Sequence, residues 1–413
     1  MRIVKMIRPS YAEKFHCIGP ACEDDCCTGW RVTVDKAAYE RYQGLTESPL
    51  RPLFESKIAL VPEGTKGQSI EAFAIIQMTP QGPCSFLSAE RLCRIQIEHG
   101  SEALCNTCAI FPRTPRQIDG LPEGALSLSC PEAARLILLD PDLGKPPSDC
   151  KQFYWDDKAK PAASLRSYFW HIREFTIGLI RNRNYPLWQR IFLLGTFSRR
   201  LDALAHGELH RDFPAFLLDF SAAIAAGSLR ASMDTIPADH NLQLDILISL
   251  INLRVGKAGI APRLHKILHA FGQGIGHLPG ASPQSQIERY IHAYQNYAAP
   301  FFQKYPHFLE NFLINEVHRT LFPFDNNLFV LGTTPEPARA FARLATHFAL
   351  MKGLLIGVAG FHKEEFTPEI AIEAVQSAYR HFEHNAEFLD LSHQLLVTRK
   401  MDNAHGLTML LRN

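Results

Sequence analysis

The sequence predicts a mainly α fold, with an α+β cysteine-rich metal module over residues 1–150 and an α-helical domain over residues 160–413. Three observations carry this. All ten cysteines of the 413-residue chain lie within its first 150 positions. Beyond residue 165 apolar side chains recur at helical spacing, whereas before it the pattern is mixed and short-ranged. Between the two, Asp140 to Pro161 is rich in Pro, Asp and Lys and reads as a linker.

Taken in order, Trp30, Val32 and Val34 alternate as in a strand, and Asp35 is placed to cap a short helix through Tyr42. Ala72 to Met78 reads as a second strand. The segment from Cys84 to Cys93 reads as a hairpin or tight loop, and Ile95 to Cys108 as one helix ending near Pro112. Ala125 to Ser129 predicts another strand. A helix from Pro131 to Leu139 follows, with proline at the first helical position, where its missing N–H costs nothing. Past the linker, Leu165, Phe169, Ile172, Phe175 and Leu179 share one helical face, as do Ile287, Ile291, Tyr294 and Tyr297. Ser282, Thr334 and Thr367 each stand before a proline and predict helix starts. Roughly eight to ten helices fit between residues 163 and 400 at about 11 residues each plus connections.

The charge balance of 43 Lys and Arg against 42 Asp and Glu gives no field that would draw the chain to nucleic acid or acidic lipid. Residues 1–9 lack the apolar stretch of an export signal, so a cytoplasmic location is expected. The most apolar tract, Ala340 to Phe361, is interrupted by Arg343, His347 and Lys352; it reads as a core helix, and no membrane insertion is expected.

Cysteines clustered in this way in a reducing compartment point to metal ligands rather than disulfides. Cys17, Cys22, Cys26 and Cys27 form C-x4-C-x3-C-C. Cys84, Cys93, Cys105 and Cys108 form a second group of four, Cys130 follows, and Cys150 sits in the polar linker, where an inert thiol is expected. Short spacings let thiolates converge on a metal cheaply. The adjacent Cys26 and Cys27 point in different directions and suit two neighbouring positions. Two groups of four fit either one iron–sulfur cluster with spare thiols or two tetrathiolate zinc sites. The metal ligands predicted are therefore Cys17, Cys22, Cys26, Cys27, Cys84, Cys93, Cys105, Cys108 and Cys130. The i, i+4 pairs His206/His210 and His265/His269 lack an HExxH context and a third ligand. The glycines from Gly272 to Gly276 follow a helical pattern, which makes them a loop rather than a nucleotide fingerprint.

Three stretches together resemble a known family. These are Cys17 to Trp30 (C-x4-C-x3-C-C-T-G-W); Pro83-Cys84 with Leu92-Cys93-Arg94-Ile95; and Cys105-x2-Cys108-x2-Phe111-Pro112-Arg113 with Ser129-Cys130-Pro131-Glu132. They look like flagellin lysine-N-methylase, and the cysteine half is similar to a broader group of zinc- or iron-chelating proteins. Phe192 to Leu201, Leu309-Glu310-Asn311-Phe312 and Phe322-Pro323-Phe324 extend the resemblance into the helical half.

The resemblance implies methyl transfer from S-adenosylmethionine to lysines of flagellin, the protein partner, in an enzyme carrying an iron–sulfur (4Fe-4S) cluster; zinc is the alternative. Radical enzymes of that cofactor carry C-x3-C-x2-C, and here the C-x3-C of Cys22 and Cys26 is followed by Gly29. Both polar and radical transfer stay open. A polar transfer requires the lysine to lose its proton first. Glu23, Asp24 and Asp25 are the candidate catalytic carboxylates for accepting that proton or holding the ammonium. Trp30 is the candidate cofactor-binding residue, facing the sulfonium through a cation-π contact. Rival readings are a non-catalytic zinc-binding scaffold and an iron–sulfur redox module.

Overall fold

A computed structural model describes residues 2–5, 9, 11–28, 31–65, 67–79, 82–119, 121–143, 152–155, 165–207, 212–255, 261–325, 334–383 and 386–413. The fold is mainly α with a few short strands, as the sequence predicts. Its buried apolar side chains fall into two clusters.

The smaller cluster runs from Val32 to Cys105. Its sheet has three antiparallel strands, with Ala74–Ile76 between Thr33–Val34 and Ile58–Leu60. Asp35 caps the helix Lys36–Gly44, its carboxylate accepting from the Ala38 N–H, as the sequence pattern predicts. Tyr42 and Phe54 stack at 4.7 Å in the centre. The expected helix from Ile95 to Cys108 is broken. Gly100 adopts a φ of +79° and ends the helix Arg94–His99, and a second helix, Asn106–Ile110, starts after Cys105.

The larger cluster holds the helical body together with residues that precede it in sequence. The antiparallel hairpin Arg113–Ile118 and Leu121–Leu126 and the helix Pro131–Leu138 send Ile118, Leu126, Ala133 and Ile137 into this core. Twelve α-helices lie between Phe169 and Thr398 among the described residues, more than expected because Arg230–Asp234 and Ala299–Lys304 are single short turns. The expected linker contains a strand, Gln152–Trp155, antiparallel to Arg2–Lys5; its positions 144–151 and 156–161 lie outside the described residues.

The apolar tract lies in the central helix Pro337–His362. By length and composition this helix could cross a membrane, yet most of it is buried against other helices. It starts three residues after Thr334, with Glu336 at the cap position and no side-chain cap bond. The Gly272 to Gly276 stretch is not a loop: it forms the last turn of the helix Pro262–Ile275. There Gly274 meets the central helix so closely that a Cβ would stand 1.8 Å from the Gly357 carbonyl oxygen.

The helix His307–Thr320 ties the two halves of this core together and is buried at every position from Phe308 to His318. Buried polar groups need partners. Here Asn311 donates to the carbonyls of Ile137 and Asp140, and Asn315 donates to Leu126 O and accepts from Tyr11. His318 and Arg173 both meet the Glu123 carboxylate.

Candidate functional site

The nine described cysteines form one chain of neighbours. Cys84 is drawn to the N-terminal loop by a 2.7 Å bond from its N–H to the Cys27 carbonyl. Cys93, Cys105 and Cys130 each stand at the cap position of a helix, just before Arg94–His99, Asn106–Ile110 and Pro131–Leu138. Backbone N–H groups of the first turn donate to their sulfurs, which favours thiolate, but burial outweighs them at Cys93 and Cys130 and raises both; only Cys105 is lowered.

Hydrogen bonding and burial set the thiols apart from one another. The Cys27 thiol donates to Cys26 and brings Cys26 down to about 7, while Cys27 itself is driven far up. Cys105 and Cys108 are a second such pair, with Cys105 lowered by its partner. Burial pushes Cys84 up to about 11 and Cys130 up to about 12, and neighbouring thiols add to both.

Soft sulfur donors from three separate stretches suit zinc or an iron–sulfur cluster. In this structure, however, four of the nine described thiols are taken up in two hydrogen-bonded pairs, Cys26 with Cys27 and Cys105 with Cys108, and no group of three or more His, Cys, Asp or Glu side chains among the described residues is arranged to hold a metal ion. The donor chemistry fits; the closed tetrahedral geometry is not formed.

A cleft of about 460 Å³ opens beside the thiols. Cys17, Cys22, Cys26, Cys27, Cys93 and Cys130 line it, whereas Cys84, Cys105 and Cys108 do not and belong to or pack against the small core. The helical body contributes Arg254, Arg380 and His381 to the opposite wall. With Arg31 and Arg91 there are four guanidinium groups against the two carboxylates of Asp24 and Asp25, so the cleft favours a ligand with an anionic group.

Each candidate carboxylate meets an arginine. Glu23 pairs with Arg135 at 2.6 Å, on the helix Pro131–Leu138. Asp24 pairs with Arg380 at 2.6 Å and accepts from Gln376 at 2.8 Å, both on the helix Pro368–Phe382. Burial would raise the Asp24 carboxyl, but Arg380 and Gln376 outweigh it and hold it below the usual carboxylate range. Asp25 accepts from the Cys27 N–H at 3.1 Å and faces Arg91 at 3.7 Å, the longest of the three pairs. The contacts of Glu23 and Asp24 pin the loop carrying Cys17 to Cys27 onto the body, and that of Asp25 ties it to Arg91 within the cysteine module. Trp30, His210 and Cys150 lie outside the described residues; His265 and His269 are exposed on their helix.

Sequence reasoning missed a buried polar spine that reaches the cleft from the far side of the body. Ser129, on the cleft wall, bonds Ser127 at 2.7 Å, and Ser127 donates to Glu383 at 3.1 Å. Arg319 joins Glu383 at 2.6 Å to Glu316 at 2.9 Å, and Tyr379 donates to Glu316. Burial alone would raise the Glu316 carboxyl, but Arg319 and His347 hold it well below the carboxylate range. The signal was the occurrence of Glu310, Asn311, Asn315, Glu316 and His318 within one helix rich in Phe, Leu and Ile, since such residues are buried only with partners.

Comparison with known proteins gives a consistent picture. Residues 173–410 match the family described as the FliB lysine N-methylase C-terminal domain. The lysine-N-methylase of Salmonella typhimurium (strain LT2) is 33% identical over 142 residues, which cover 34% of this chain and 34% of that protein. The flagellar biosynthetic protein FliU of Salmonella muenchen is 33% identical over 142 residues, 34% of this chain and 82% of that protein. The match thus spans about a third of the length of the lysine-N-methylase. No solved structure matches.

Proposed function

This chain belongs to the FliB lysine N-methylase family through its residues 173–410, and we propose that it is a cytoplasmic protein lysine N-methyltransferase that takes its methyl group from S-adenosylmethionine and acts on flagellin. The observation that carries the reading is the composition of the cleft: one wall is the cysteine loop, and the other is the helical domain that the family match covers.

The guanidinium groups of Arg31 and Arg254 suit the carboxylate of the cofactor's methionine part. Asp24 keeps the loop in place through Arg380 and Gln376. Asp25 is the carboxylate best able to turn toward an incoming lysine ammonium, because its arginine stands furthest away. Glu23 serves as an anchor to Arg135. Trp30 retains its proposed contact with the sulfonium. The thiols from Cys17 to Cys130 would hold an iron–sulfur cluster, which supplies a structural staple in a polar transfer or one-electron chemistry in a radical one.

A structural zinc module is the second reading, favoured by Cys84, Cys105 and Cys108 standing off the cleft beside or within the small core. Anaerobic purification with iron, zinc and sulfide analysis and an absorption spectrum separates the two. Incubation with S-adenosylmethionine and flagellin, with and without reductant, then tests activity by mass spectrometry. Iron with sulfide and a methyl mass gain on flagellin is the expected result; zinc alone with no mass gain under either condition refutes the reading.

A further inference from the structure

The exposed imidazoles of His265 and His269 take no part in the cysteine cleft. Both stand on the helix Pro262–Ile275, whose Leu264, Ile267 and Phe271 are buried. Residues four apart on a helix share a face one turn apart, with Cβ atoms about 5–6 Å from each other. At that spacing two imidazoles can close on one ion, at about 2.0–2.1 Å from a nitrogen of each.

The surroundings leave both rings free to do so. Neither makes a hydrogen bond or ion pair among the described residues, so a cation displaces no protein partner. The His269 ring meets the half-exposed Phe361 edge to face, with centroids 6.3 Å apart at 78°, which restrains its rotation. The nearby cations are drawn to the neighbouring helix Pro368–Phe382: Lys266 pairs with Glu373 at 2.9 Å, and Arg263 donates to Gln376 at 3.0 Å. The helix itself is seated firmly, since Gly274 packs directly on the Gly357 carbonyl of the central helix. Ligands fixed on a rigid element keep their spacing and lose little freedom on binding.

The donor set selects the ion. Neutral imidazole nitrogens suit zinc, nickel and copper, whereas magnesium and calcium require oxygen ligands. No third His, Cys, Asp or Glu completes the set among the described residues, so water fills the remaining positions.

We propose that His265 and His269 together chelate a late first-row divalent cation, of the zinc, nickel or copper class, at a surface site separate from the cysteine ligands. The site is independent of whether the cysteine cleft transfers methyl groups.

The test adds NiCl2 to the full chain, isolated anaerobically with its own metal content and labelled at the histidine Cε1 carbons, and follows the paramagnetic broadening of each imidazole by NMR. Nickel held by thiols broadens other signals, so the two outcomes do not mix. His265 and His269 should broaden at lower nickel than His405, which is exposed without a histidine four residues away, and excess MgCl2 should not reverse it. Removing one partner, by His265→Ala or by His269→Ala, should raise the nickel needed at the remaining ring about tenfold through loss of the chelate. Because both side chains are exposed, neither variant should melt below the wild type. A response no stronger than that of His405, reversal by magnesium, or a remaining ring that responds unchanged after its partner is removed overturns the proposal.

Discussion

Replacing Arg380 by Met keeps an unbranched apolar stem and removes the charge that fastens the cysteine loop. Arg380 pairs with Asp24 at 2.6 Å, both side chains being 17% exposed, and it also donates to the Thr28 carbonyl. Breaking one side of a buried pair costs about 3–5 kcal/mol. Here Asp24 keeps bonds from Gln376 at 2.8 Å and from the Asp25 N–H at 2.9 Å. With those bonds and the partial exposure, the loss falls to about 2 kcal/mol, or roughly a 30-fold rise in the population of the detached loop. Native-state alkylation, resolved by mass spectrometry, reads this directly. Cys22 and Cys27, half-buried in the docked loop, should label faster than in the wild type, by up to about 30-fold. Cys105, 1% exposed in the small core, should keep its rate. Unchanged labelling at Cys22 and Cys27 would refute the view that this ion pair docks the loop.

Further consequences are measurable. Asn315→Leu removes the donor to Leu126 O and the acceptor of Tyr11; two buried groups lose their partners, and the urea midpoint should fall by the equivalent of about 2–4 kcal/mol at constant m. Gly274→Ala places a Cβ 1.8 Å from the Gly357 oxygen; the ~1 kcal/mol gain in helix propensity is outweighed by displaced backbone, and a melting temperature equal to or above the wild type would contradict that contact. Lys352, buried with its Nζ donating to Leu411 O, is brought down to about 7 by burial. The unfolded chain keeps this proton up to about pH 10.4 and the folded chain gives it up above about 7. Its contribution is therefore flat below pH 7, and stability rises from there to about pH 10.4 by an amount on the order of 4 kcal/mol. Lys352→Met should abolish that rise, and parallel stability curves for variant and wild type from pH 7 to 10 would contradict the assignment.

Local signals were legible in the sequence. Asp35 caps its helix and Ser282 caps Pro283–Ala293 because an N-cap is written within three residues of its partner. The grouping of the thiols was legible from their density, but their pairing was not, since Cys26–Cys27 and Cys105–Cys108 are set by how the loops fold over one another. Gly100 was overlooked because the apolar pattern on its two sides suggested one continuous helix. The roles of Glu23, Asp24 and Asp25 depend on arginines more than 60 residues away, at 135, 380 and 91, and the bond from Ser127 to Glu383 spans 256 positions. Periodicity shows which face of a helix is buried, not which distant group waits there.

The interlocking of His307–Thr320 with Ile137, Asp140, Leu126 and Glu123 bears on how relatives of this protein can exchange parts. A chimera spliced where the family match begins would separate those amides and the imidazole from the carbonyls and the carboxylate that accept from them. A splice made between Cys105 and Arg113 would leave them together, so the unit of inheritance in folding terms is larger than the stretch over which sequences agree.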